Sequence, residues 1–150
     1  MKKVFMIFGL CFCMLLTGCG NAYAKQEYGS DELIAQEGDR YSKSVSVSND
    51  TGSGFTYTAS EFDGRETVWN KRFSSDRDMN VNLKISISAG NAKVVYIDPD
   101  DNVTVITELS EDSTERDISE IISFKKGRNR IKLVGYDCKN VSIDGEIGEK

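Results

Sequence analysis

The run Met79-Asn80-Val81-Asn82-Leu83-Lys84-Ile85-Ser86-Ile87-Ser88 decides the fold. Met79, Val81, Leu83, Ile85 and Ile87 fall on one face, while Asn80, Asn82, Lys84, Ser86 and Ser88 fall on the other. A period of two sustained this long belongs to a strand wet on one side, and no helix shows it. Downstream, Ala89-Gly90-Asn91 predicts a turn into a strand over 92–98. Pro99-Asp100-Asp101-Asn102 predicts another into 103–109, so these strands form a meander. An acidic loop over 108–117 then leads to strands over 118–124, 129–136 and 141–147, with Lys126-Gly127 as a turn.

Upstream, residues 41–48 alternate, with Val45 and Val47 against Ser44, Ser46 and Ser48. A loop over 49–54 precedes a strand over 55–60, and Asp63-Gly64 reads as a tight turn before a strand over 66–73 that holds the only tryptophan, Trp69. The whole is about eight short strands without a long helical pattern. With no helix to cover a sheet, the apolar faces must bury each other, which predicts an all-β, antiparallel, jelly-roll-like β-sandwich over 41–150. A closed barrel or an immunoglobulin-like Greek key carries much the same pattern. The immunoglobulin pairing of two cysteines around a buried tryptophan is absent.

The amino terminus reads as an address. Met1-Lys2-Lys3 is cationic and residues 4–16 are an uncharged apolar run, the layout of a secretory signal. A membrane span needs about 20 apolar residues, more than this run supplies. Leu16-Thr17-Gly18-Cys19 resembles the lipobox of bacterial lipoproteins. That resemblance implies a signal peptide over 1–18, cleavage before Cys19 and a diacylglycerol on its sulfur, holding the protein to the outer face of the cell membrane. Two acyl chains give stable anchoring. Ala22-Tyr23-Ala24 offers a second cut of ordinary small-x-small form, which would release a secreted protein beginning at Lys25. Residues 19–40 are polar, with scattered glycines and little apolar periodicity, and predict a flexible tether.

Cleavage before Cys19 would leave 132 residues, room for one domain, and would take the net charge from −5 to −7 by removing Lys2 and Lys3. Such a surface argues against nucleic acid, which needs a basic stripe. Cys11 and Cys13 would leave with the signal and Cys19 would carry lipid, so Cys138 remains without a disulfide partner. The strand pattern over 81–106, with Gly90 and the Ile97-Asp98-Pro99 hairpin tip, and the run Lys125-Lys126-Gly127-Arg128-Asn129-Arg130-Ile131-Lys132-Leu133-Val134-Gly135 resemble the small β-sandwich lipoproteins of low-GC Gram-positive bacteria.

The chain has no histidine, which removes Ser-His-Asp and Cys-His catalysis and histidine-bearing zinc sites. No catalytic residue and no cofactor is assigned. Asp98, Asp100 and Asn102 match the first ligand positions of a calcium loop, but Val103 and Leu109 stand where that loop needs Gly and Glu. The same residues suit a hairpin turn, and the turn accounts for them better. Trp69, Tyr57, Tyr96 and Tyr136 are candidates for a platform on which sugar rings stack, although strand aromatics more often serve packing. Asp63, Glu66, Glu108, Glu120 and Asp144 are acids from which a glycosidase pair would be drawn, and none is singled out.

The expectation is therefore a lipid-anchored surface protein whose non-catalytic sandwich binds an extracellular ligand: envelope polysaccharide, a peptide or another surface protein. A carboxylate-dependent hydrolase and an accessory module of a membrane complex are the alternatives.

Overall fold

The computed structural model describes residues 20–150. The signal sequence, the lipobox and Cys19 lie outside the described residues. Two helices, α1 (Gly20–Tyr28) and α2 (Asp31–Ala35), precede seven strands. These are β1 (Arg40–Asp50), β2 (Gly54–Phe73), β3 (Arg77–Ser86), β4 (Ala89–Ile97), β5 (Val103–Leu109), β6 (Glu115–Phe124) and β7 (Gly127–Glu149). All pairings are antiparallel.

The strands hydrogen-bond in the order β1-β2-β7-β3-β6, and β4 joins β7 and β5 off that path. The two long strands bend and so belong to both layers of the sandwich. The second half of β7 pairs with β3, between Ser142 and Glu149, and the first half pairs with β4, between Arg130 and Lys139. The fold is thus the all-β sandwich expected. Two pairs of the expected strands are each one bent strand: 55–60 with 66–73, and 129–136 with 141–147.

The corner explains that difference. The register of β2 against β7 shifts between Phe62 and Gly64, leaving Tyr136 and Asp137 opposite the single Asp63. Such bulges bend a strand and let it cross between layers. Gly64 has φ +106° and its missing Cβ would run into the Arg40 carbonyl, while Asp137 adopts φ +56°. The Asp63 carboxylate accepts the Asp137 N–H at 2.7 Å, tying the two bends together. Asp63-Gly64 is a bulge inside a strand; the tight hairpin turn read from those residues is not formed.

The alternating face of β3 does what its pattern requires. Met79, Val81, Leu83 and Ile85 are buried, as are Phe55 and Ile143 beside them. They pack with Val94, Tyr96, Ile131 and Leu133 of the other layer into one core. Phe124 joins the layers: its ring lies 5.1 Å from Tyr96 and 5.5 Å from both Trp69 and Phe73.

The flexible tether expected over 19–40 is corrected. From Gly20 the chain is a helical strap, with Ser30 capping α2 by accepting the Leu33 N–H at 3.3 Å. Ile34 and Ala35 pack on Val95, Ile97 and Val134, forming a second small core on the outside of the β4 layer. A polar clamp completes it. Lys132, fully buried, donates to the Gln36 carbonyl at 2.6 Å and pairs with Asp39 at 3.2 Å. Arg65 donates to Gln36 Oε1 at 2.7 Å and to the Gly38 carbonyl, and its Nε lies 3.5 Å from Glu27. Burial lowers the pKa of Lys132, against the opposing pull of Asp39. Buried charges persist only when paired, so strap and sandwich need each other.

Candidate functional site

The sequence-selected aromatics do not form a platform. Trp69 and Tyr57 are each 1% exposed and Tyr96 is buried as well. Their polar ends are satisfied inside: Trp69 Nε1 donates to the Gly52 carbonyl at 3.3 Å, Tyr57 to Glu66 at 2.9 Å and Tyr96 to Asn129 at 2.5 Å. Burial pushes the Tyr96 phenol up to about 12. Tyr136 lies apart, half-buried beneath α1, with its ring edge-on to Tyr28 at 5.0 Å and Lys25 above it. Packing is what these side chains do.

The calcium candidates form a turn. The Asp98 carboxylate accepts the N–H groups of Asp100 and Asn102 at 2.9 Å each, and the Asn102 amide at 2.8 Å. Partial burial pushes its pKa up, but these hydrogen bonds outweigh it and hold the carboxyl below its ordinary value. Among the described residues no group of three or more acids, cysteines or histidines is placed to hold a metal. The acids considered for hydrolysis are dispersed. Glu66 is held by Lys43 and Tyr57, Glu108 accepts from Tyr28 at 2.6 Å, Asp63 ties the corner, and Glu120 is exposed on β6. Cys138 is buried with its thiol 2.8 Å from the Asn91 carbonyl, and burial raises its pKa to about 12.

What the strands do bring together is polar. Across the open face of the β1-β2-β7-β3-β6 layer, Asn49 lies opposite Thr56, Thr56 opposite Asp144, and Asp144 opposite Lys84. One row along, Gly54 and Asn82 flank Glu146, and beyond it Gly148 faces Asn80. The loop after β1 closes one end with Thr51 and Ser53, leaving a groove of about 580 Å³. A smaller hollow of about 150 Å³ beside it reaches Lys84 and Asp117. Ligand clefts commonly occupy about 300–1,000 Å³.

The groove's hydrogen-bonding capacity is only partly used. Ser119 donates to Asn82 Oδ1 at 2.6 Å, which leaves the Asn82 amide N–H groups available to donate. Among the described residues, the Asp144 and Glu146 carboxylates have no hydrogen-bonded or ion-paired partner, so their oxygens are open acceptors. A Cβ at Gly148 would meet no atom within 4 Å. Donors and acceptors spaced along adjoining strands suit vicinal hydroxyl groups, which both give and take hydrogen bonds. In the sequence these residues read as the wet side of strands, and among them only Asp144 is a candidate for chemistry.

No family model and no curated protein matches the chain. Among solved structures, it is similar to the carbohydrate-binding module CBM6cm-2 from Cellvibrio mixtus lichenase 5A, solved in complex with cellotriose. The two are 10% identical with a TM-score of 0.37, over 77% of this chain and 89% of that one.

Proposed function

We propose that this protein is a lipid-anchored, non-catalytic binding module on the outer face of the cell membrane, taking a hydroxyl-rich envelope polysaccharide into the groove between Thr56, Asn82 and Glu146. The observation that carries this reading is the groove itself. It is large enough for a sugar unit, lined by side chains with unused donors and acceptors, and built on strands whose register fixes those side chains in rows.

The helical strap supports the anchor. A cut after Ala24 would divide α1, removing the fully buried Ala24 and Tyr23, whose ring stacks 4.5 Å beneath the Arg40 guanidinium. A cut before Cys19 leaves the whole helix, and lipid on that residue would hold the sandwich at the membrane with almost no spacer. Mass spectrometry of the native amino terminus tests this: a diacylated Cys19 is expected, and an unmodified start at Lys25 would contradict it.

The groove is tested by affinity electrophoresis through gels containing envelope polysaccharides. The protein should be retarded by at least one of them. Gly148→Trp, which fills open space without a backbone clash, should abolish the retardation while leaving thermal unfolding nearly unchanged. Equal retardation of both proteins would remove the groove as the site.

A further inference from the structure

A second cavity, of about 300 Å³, lies at the far end of the β4 layer, where the β7 run begins. Three guanidinium groups line it: Arg72 of β2 and Arg128 and Arg130 of β7. Arg72 and Arg128 stand directly opposite each other across the β2–β7 ladder. Like charges in that position repel, and a sheet gains nothing by placing them there unless an anion sits between.

The acids in the wall do not fully answer this charge. Asp98 is engaged by its own turn. Asp101 holds Arg130 Nη2 at 2.5 Å, but Arg130 is only 3% exposed and its Nη1 is buried without any hydrogen-bond partner. Leaving a buried charged donor unmet is costly. Glu37 reaches Arg128 at 3.5 Å, and its side chain is 78% exposed, so that contact is loose and readily displaced. Among the described residues the Arg72 side chain has no hydrogen-bonded or ion-paired partner.

We propose that the Arg72–Arg128–Arg130 cavity binds an oxyanion, the carboxylate or phosphate group of a small organic ligand. Guanidinium groups match both chemistries through paired N–H donors. The anion sits between Arg72 and Arg128, displaces Glu37 toward solvent, and draws Arg130 away from Asp101 so that its unmet nitrogen gains an acceptor. This site is separate from the polar groove and does not rest on it.

Calorimetric titration of the full protein in nonionic detergent at low ionic strength tests the proposal, with inorganic phosphate and glucuronate as probes. Saturable binding of at least one probe is expected, and the probe that binds identifies the oxyanion. Arg72→Ala removes a solvent-facing side chain and should weaken binding at least about tenfold, the scale of one charge-assisted hydrogen bond. Arg116→Ala, the same charge change on β6, should alter it less than twofold. Asp101→Asn should tighten binding by freeing Arg130, since asparagine tolerates the φ of +63° found there. No saturable binding of either probe, equal losses in Arg72→Ala and Arg116→Ala, or weaker binding in Asp101→Asn would overturn the site.

Discussion

Replacing Trp69 separates a core residue from a sugar platform. The indole is 1% exposed, rests 5.5 Å from the Phe124 ring and 6.4 Å from Phe73, and gives its N–H to the Gly52 carbonyl. Truncating a buried Trp or Phe to Ala costs about 3–5 kcal/mol through lost transfer energy and the cavity left behind. The lost indole hydrogen bond adds about 1 kcal/mol, so Trp69→Ala should fall in the upper part of that range. Total stabilities of about 5–15 kcal/mol make this a large fraction of what holds the domain together. With a urea dependence of about 2 kcal/mol per molar, the unfolding midpoint should drop by about 2 M. Circular dichroism at increasing urea reads the midpoint in both proteins. Wild type also carries an internal reporter, since its only tryptophan should emit as a buried indole and shift to the red across the same transition. Trp69→Phe keeps a ring against Phe124 and should lose about half as much. A loss below about 0.5 kcal/mol for Trp69→Ala, as at an exposed site, would refute the packing described here.

The strap makes a second prediction. Full burial of Ile34 contributes about 2 kcal/mol, so Ile34→Asp should raise the population of released strap at least thirtyfold. Limited trypsin digestion should then cut at Lys25 and Arg40 well before wild type is touched, and equal protection would contradict the docking. Cys138 makes a third. Its thiol, raised to about 12 by burial, favours the folded state below the unfolded value of about 8.5. That contribution is lost as pH rises from there through 12. At about pH 8 a chromogenic disulfide reagent should label it only after denaturation, and stoichiometric labelling of the native protein within minutes would refute the burial.

Much of the sandwich is written in the run 79–88, most of it in β3, where strict alternation leaves one buried face and one wet face. The corner was not legible. Asp63-Gly64 satisfies a hairpin turn and a bulge equally, and only the presence of Asp137 across the ladder selects the bulge. The strap was missed for a different reason. The apolar residues of 20–36 are mostly alanine and tyrosine and follow no long helical period, and much of what holds the segment is complementary: Glu27, Gln36 and the following Asp39 answer Arg65 and Lys132, which lie far along the chain. The candidate site was hidden because Asn80, Asn82, Asp144 and Glu146 look like any solvated strand face until register sets them side by side. The aromatics drew attention by residue type, and burial assigns them to packing.

The most direct measurement of the binding claim is a two-dimensional amide NMR titration of the labelled protein with a retarding polysaccharide. Saturable shifts confined to Thr56, Asn80, Asn82, Gly145, Glu146 and Gly148 are predicted, with the amides around Trp69 unmoved. Saturable shifts that leave this set untouched and fall elsewhere on the sandwich would contradict the account.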